Sequence, residues 1–188
     1  MKMLQGFSEY KKENYHRSCF TELIQSQEKA LLFCHDGQLL EAEIAQETPF
    51  DLILSNGQEP LPKVAVQACA RASEKKALAK LIKWDSKVKE DHNAPILAPG
   101  ERYFIKNKSL YPLMKEREVL FFTLLGGEKI KGIMTGFSRY DIEVHMKGGV
   151  AITLLRHAIF DVRNKKGRCF LKSVQKEARE WKKSELYA

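Results

Sequence analysis

No apolar run in this 188-residue chain approaches the ~20 residues needed to cross a bilayer, so no membrane span is expected. Its first stretch, MKMLQGFSEYKKENYHR, lacks an apolar core followed by a small-residue cleavage site, and no secretory leader is expected either. Cysteine is scarce. Cys19, Cys34, Cys69 and Cys169 are widely spaced and form no CxxC pair. That excludes zinc knuckles and dithiol redox motifs, and it fits the reduced thiols of a cytosol. The signatures of catalysis are missing as well: no GxxxxGK(S/T), no GxSxG and no HExxH. His145 and His157 could meet on adjacent strands, but two histidines without a carboxylate or thiol beside them make a poor metal site. Cys34 and His35 are neighbours along a strand and point to opposite faces, so they form no catalytic dyad. The expectation is a cytoplasmic protein that is not an enzyme and carries neither cofactor nor metal.

Charge is plentiful and unevenly placed. The formal net charge is +8. Residues 1–100 carry 13 basic and 14 acidic side chains, whereas residues 101–188 carry 19 basic and 10 acidic. The second half therefore points to a polyanionic partner, either nucleic acid or an anionic membrane surface, with a merely soluble basic domain as the plain alternative.

Residues 118–163 read as five strand-like segments separated by glycine turns, and a weaker copy of the pattern precedes them by about ninety residues. The helix-like Phe20–Ile24 matches Leu110–Met114, and Leu31–Phe33 matches Phe121–Thr123. Asp36-Gly37 matches Gly126-Gly127, Phe50 matches Tyr140, and Lys63–Val66 matches Arg156–Ile159. Asp-Gly and Gly-Gly between apolar strands predict two-residue type I′ hairpins, which need φ > 0 at both central positions. Chance does not produce matched helices, turns and strands in one order, so the chain is a tandem repeat.

Each copy reads as a helix followed by five short strands, near 118–125, 128–137, 140–146, 150–155 and 158–163 in the second. Gly132 and Gly136 fall inside the second strand, where a long strand would bend at a barrel corner. Between the copies, Leu78, Leu81, Ile82, Asp85 and Val88 recur at helical spacing and predict a helix over 73–90, followed by a turn-rich stretch to Gly100. The expected organisation is a degenerate repeat unit over 1–70, a helical linker over 71–100, a better-formed unit over 101–166 and a basic C-terminal helix over 167–188. The fold class is mostly β with helices: two small five-stranded bent barrels, each preceded by a helix.

The segments Leu124–Gly132, Phe137–Tyr140 and Arg156–Ile159 carry a family resemblance. They follow the order of an apolar strand, a turn and Lys-x-x-Gly, then Phe-x-x-aromatic, then a basic-His-Ala-Ile signature. This set resembles the Sm-like (Lsm) family and, within it, the bacterial RNA chaperone Hfq. It covers residues 104–163 well, with two extra residues around Lys147–Gly149, and residues 18–68 loosely. The resemblance implies binding of single-stranded, U-rich RNA, a riboregulatory or RNA-chaperone role, and a ring of six units built from three chains. It also implies an RNA site at Arg139, Tyr140, Arg156 and His157, joined by Lys106, with Lys115 and Arg117 on the basic rim. The chemistry agrees: a tyrosine face stacks a base for ~1–3 kcal/mol, and arginine and histidine donate to phosphate, ribose or base oxygens.

Each residue has a plainer reading. Tyr140 could be a half-buried strand aromatic, His157 a core histidine with a backbone partner, and Lys115 and Arg117 charges that favour a helix end. The chain also departs from the family pattern. Thr123 stands where Hfq has the aromatic of its adenine-reading face, and Glu128 follows the turn where the family is apolar. In the first copy Lys63-Val64 replaces the basic-His pair and Gln25–Gln27 replaces the basic rim, so that copy reads as mainly structural. An alternative from another class is a scaffold of the same fold that binds proteins and not RNA.

Overall fold

The computed structural model describes residues 4–91 and 94–171. Two helices, α1 (Phe7–Asn14) and α2 (Cys19–Ser26), open the chain. Ser18 caps α2 by accepting the Phe20 N–H on its hydroxyl, and α2 buries Phe20 and Leu23 on the face turned to the first copy's strands. Those strands are β1 (Ala30–Cys34), β2 (Leu39–Ala42), β3 (Ile44–Glu47), β4 (Asp51–Leu54), β5 (Leu61–Pro62) and β6 (Val66–Arg71).

The linker is not one helix. It forms α3 (Lys75–Leu81), a two-residue strand β7 (Lys83–Trp84) and α4 (Ser86–Glu90). Lys83 and Trp84 are drawn into pairing with Lys129 and Glu128, and the Asp85 carboxylate restarts the helix by accepting the Val88 N–H at 3.3 Å. Helical spacing across residues 78–88 was thus interrupted by a sheet edge that the local sequence does not reveal. The second copy then follows as α5 (Asn107–Lys115), β8 (Val119–Leu124), β9 (Glu128–Phe137), β10 (Asp141–His145), β11 (Ala151–Leu155) and β12 (Ile159–Asn164). These strands lie within a residue or so of the expected boundaries. Of the C-terminal helix expected over 167–188, residues 167–171 are not helical but turn back along β12, and the rest falls outside the described residues.

The structure is mixed helix and sheet, and all strand pairing is antiparallel. The large sheet runs β12-β8-β9-β10-β11-β6-β1-β2, with β7 on β9, and a second sheet runs β3-β4-β5. Neither closes into a barrel, which corrects the expectation of two barrels. In the second copy β12 and β11 stand at opposite ends of the row, and the outer side of β11 is taken by β6 of the first copy, with Thr153 opposite Cys69 and Leu154 opposite Ala68. In the first copy the second strand is broken in two. Its counterpart β9 stays continuous because Gly132 lets the backbone of β10 come close: a Cβ there would lie 2.5 Å from Val144 Cγ1 and 2.6 Å from the His145 carbonyl oxygen. Ala42 occupies the matching position, and there the ladder parts into β2 and β3.

The hairpin turns also differ from expectation. Gly37 and Gly127 have φ of 80° and 93°, whereas Asp36 and Gly126 do not take positive φ. The Gly37 N–H donates to Cys34 O and the Gly127 N–H to Leu124 O. Each is a three-residue loop with a left-handed glycine in third place, not a type I′ turn.

The core crosses the boundary between copies. Leu31, Ala68 and Ala70 of the first copy pack in the cluster of the second, and Leu155 of the second packs in that of the first. A buried polar tie adds to this. Gln67 on β6 accepts the Gly126 N–H at 2.7 Å and donates to Glu128 Oε1 at 3.2 Å. Burial raises the Glu128 carboxyl above its ordinary range, so the acidic departure in the sequence is half of an inter-copy contact.

Candidate nucleic-acid interface

The turn between β9 and β10 presents the expected stacking residue, and one serine organises it. Ser138 Oγ accepts the N–H groups of Tyr140 and Asp141 at 3.1 and 3.2 Å, while the Ser138 N–H donates to Asp141 O. The hydroxyl thereby holds a local turn, leaving Arg139 and Tyr140 exposed. Tyr140 is 61% exposed. The Arg139 guanidinium lies 5.3 Å from its ring centroid, a cation–π distance.

The first copy repeats this geometry. The Thr48 hydroxyl accepts the Asp51 N–H, and the Thr48 N–H donates to Asp51 O. Phe50 is 80% exposed. Its carbonyl accepts the Lys63 N–H at 2.8 Å, just as Tyr140 O accepts the Arg156 N–H at 2.8 Å. The charges differ, however. Lys63 Nζ is bound to Glu47 at 2.7 Å, and although burial acts to raise the Glu47 carboxyl, hydrogen bonds from Lys63, Ser18 and Thr21 hold it below its ordinary value.

Arg156 faces inward. Its Nη1 donates to Asn107 Oδ1 at 2.8 Å and to Ser138 O at 3.0 Å, and its Nη2 donates to Ile105 O at 2.7 Å. Phe104, 41% exposed, lies with its ring centroid 5.3 Å from this guanidinium. The arginine therefore pins the start of α5 to the Ser138 turn, and the exposed Lys106 is carried to the same corner. His157 Nε2 sits 2.9 Å from Val66 O on β6, which makes the Nε2–H tautomer the donor. Burial pushes this imidazole down to about 4, the Val66 bond opposes that, and Arg102 and His35 add to the depression. It is the core-histidine arrangement, and the ring is neutral at physiological pH.

Arg139, Tyr140 and Arg156 are thus brought together at the Ser138 turn, Lys106 follows the Ile105 carbonyl that Arg156 holds, and His157 is turned toward the first copy. Lys115 and Arg117 are exposed but belong to the far end of α5, nine residues or about 13 Å along the helix from Lys106. Arg117 has φ 52° and ends the helix in the left-handed region. They form a separate basic edge.

Two features escaped the sequence reading. Phe104 lies just before α5, and no local pattern links it to Arg156, 52 residues further along. On the outer face of the large sheet, Phe121 lies opposite Lys131 on β9 and Arg163 on β12, with Lys131 Nζ 5.5 Å from its ring centroid. Cross-strand register places one half-exposed aromatic between two cations, and alternation along a single strand does not show it. Among the described residues no group of three or more His, Cys, Asp or Glu side chains is placed to hold a metal ion, and no helix is long and apolar enough to cross a membrane. Comparison with models of known families, with curated proteins and with solved structures finds no match to this chain.

Proposed function

We propose that the chain is a cytoplasmic, non-enzymatic protein that binds single-stranded RNA, built from two tandem Sm-like units of the Hfq kind and acting in post-transcriptional control as a riboregulator or RNA chaperone. The observation that carries the reading is the exposed Tyr140 ring, held outward by Ser138 and flanked by Arg139 on the basic half of the chain. The order fifth-first-second-third-fourth of the strands β12-β8-β9-β10-β11 supports it. So does the recurrence of the same turn at Phe50. On this reading the internal β11–β6 contact is the one that would repeat between chains to give a ring of three. Whether it repeats turns on the outer edges at β12 of the large sheet and β5 of the second sheet.

Fluorescence anisotropy with short oligo(U) and oligo(A) tests the reading. Tyr140→Ala should weaken oligo(U) binding by about 5- to 150-fold, the equivalent of one lost stacked base. Phe50→Ala should cost less, because Lys63 beside it is neutralised by Glu47. Binding should also fall with salt at a log–log slope of about −0.7 per phosphate neutralised, and Lys115→Ala with Arg117→Ala should flatten that slope by roughly one contact each. No loss from Tyr140→Ala would sink the RNA site.

One observation favours the scaffold reading. Both terminal nitrogens of Arg156 and Nε2 of His157 are engaged with Asn107, Ser138, Ile105 and Val66. A chain that binds neither oligonucleotide would leave that reading standing.

A further inference from the structure

The chain contains its own reference for how one unit joins the next. Strand four of the second copy, β11, pairs with strand five of the first, β6, through Thr153 opposite Cys69 and Leu154 opposite Ala68. The Arg156 N–H is spent on Tyr140 O within the unit. Successive N–H groups of a strand point to opposite sides, so those of Thr153 and Leu155 face the neighbour β6.

Transferred to the first copy by the match of Lys63 with Arg156, the same positions are Pro60 and Pro62. The Lys63 N–H donates to Phe50 O on the inner side, so the Pro62 nitrogen faces outward, where proline has no hydrogen to give. The outer edge at β5 therefore lacks the donors that β11 uses, and proline on an edge strand is a recognised bar to further pairing.

The opposite edge is shut in another way. The match of Cys69 falls on Val162 of β12. The chain turns back after Asn164 and lays Arg168–Leu171 along β12, where the Phe170 N–H donates to Val162 O at 3.0 Å and the Asn164 N–H donates to Arg168 O at 3.2 Å. Arg163 faces Cys169 across the bridge. Leu171 anchors this strap in the core. The strap thus takes the backbone position on β12 that the neighbouring unit takes on β6.

We infer that the inter-unit contact is made once within the chain and closed off at both ends, so that the protein works as a self-terminated pair of units and not as a segment of a ring. The inference rests on strand-edge chemistry and stands apart from the RNA reading.

Light scattering on the full chain tests it. The wild-type protein should scatter as one chain of 21.6 kDa at micromolar concentration. Opening one edge, by Pro60→Thr with Pro62→Leu or by Phe170→Pro, should leave that mass unchanged. Opening both should give a larger assembly whose mass grows with concentration. A wild-type mass of two or more chains overturns the inference, and so does a combined variant that is folded by circular dichroism yet stays a single chain. Should the combined variant fail to fold, hydrogen exchange on the wild type decides: protected Phe170 and Asn164 amides support the closed edge, and exchange at the free-peptide rate overturns it. Oligo(U) anisotropy on the same samples reads the RNA site independently.

Discussion

Arg156→Ala should lower the stability of the folded chain by roughly 3 kcal/mol, since the loss falls on hydrogen bonds from a charged donor to neutral acceptors and leaves no buried charge behind. Three acceptors lose their donor together: Asn107 Oδ1, Ser138 O and Ile105 O. A single hydrogen bond to a charged group contributes ~1.5–3 kcal/mol, and a buried carbonyl left unpaired carries its own desolvation penalty. For a chain of this length the change should appear as a fall in melting temperature on the order of 10 °C. Arg156→Lys should recover only part of the loss, because an ammonium cannot reach two sides at once as the guanidinium fork does. Thermal unfolding followed by circular dichroism checks both variants. Unchanged melting in Arg156→Ala would release the side chain for ligand binding and return it to the position the resemblance implied. In the expected case, weakened RNA binding by this variant reports a displaced Ser138 turn, and Tyr140→Ala is the cleaner probe of stacking.

The second large effect is a pH dependence centred on His157. In the folded chain its imidazole takes a proton only near 4, against 6.5 when free. Between those values the unfolded chain holds a proton that the folded chain refuses, so stability falls as the pH drops from about 6.5 toward 4. Across the whole window the loss is roughly 3 kcal/mol at 1.36 kcal/mol per pH unit. Two carboxyl groups act in the opposite sense. Glu128 and Asp141 are both raised by burial, so their protonation favours the folded state as the pH falls. The difference between wild type and His157→Gln isolates the histidine, since glutamine keeps an N–H for Val66 O and does not titrate. Denaturant unfolding from pH 7.5 to 4.5 should show the wild type losing stability relative to the variant on the acid side. Parallel curves would mean that His157 is solvated and available as a donor.

The parts of the fold that depend on near neighbours could be read in advance. Leu124–Gly132 and Phe137–Tyr140 placed β8, β9 and the Ser138 turn within a residue or so, because apolar alternation and glycine turns act over a few positions. The hairpin type could not be read, since Gly126 adopts either sign of φ equally well and the surrounding strands choose. The helix expected over 73–90 failed for a tertiary reason: Lys83 and Trp84 gain more as a strand on β9 than as helix. The site divided along the same line. Tyr140 and Arg139 are exposed because of a hydroxyl one or two residues away. Arg156 and His157 turn inward because of acceptors at Ile105, Asn107, Ser138 and Val66, all distant along the chain. Residue type gave the donors, and only the packing gave their recipients.

The β6–β11 junction also bears on how the protein is made. β6 reaches its partner only when Thr153 arrives opposite Cys69, about 84 residues further along the chain, or several seconds of synthesis at typical elongation rates. Until then the first copy exposes a strand edge whose residues Val66–Ala70 are all buried in the finished fold, and Gln67 waits for Gly126 and Glu128. Such a long-range pairing forms late and slowly. A nascent chain stalled before β11 therefore carries an adhesive edge, and this interval is when the protein is most exposed to aggregation and most in need of a chaperone.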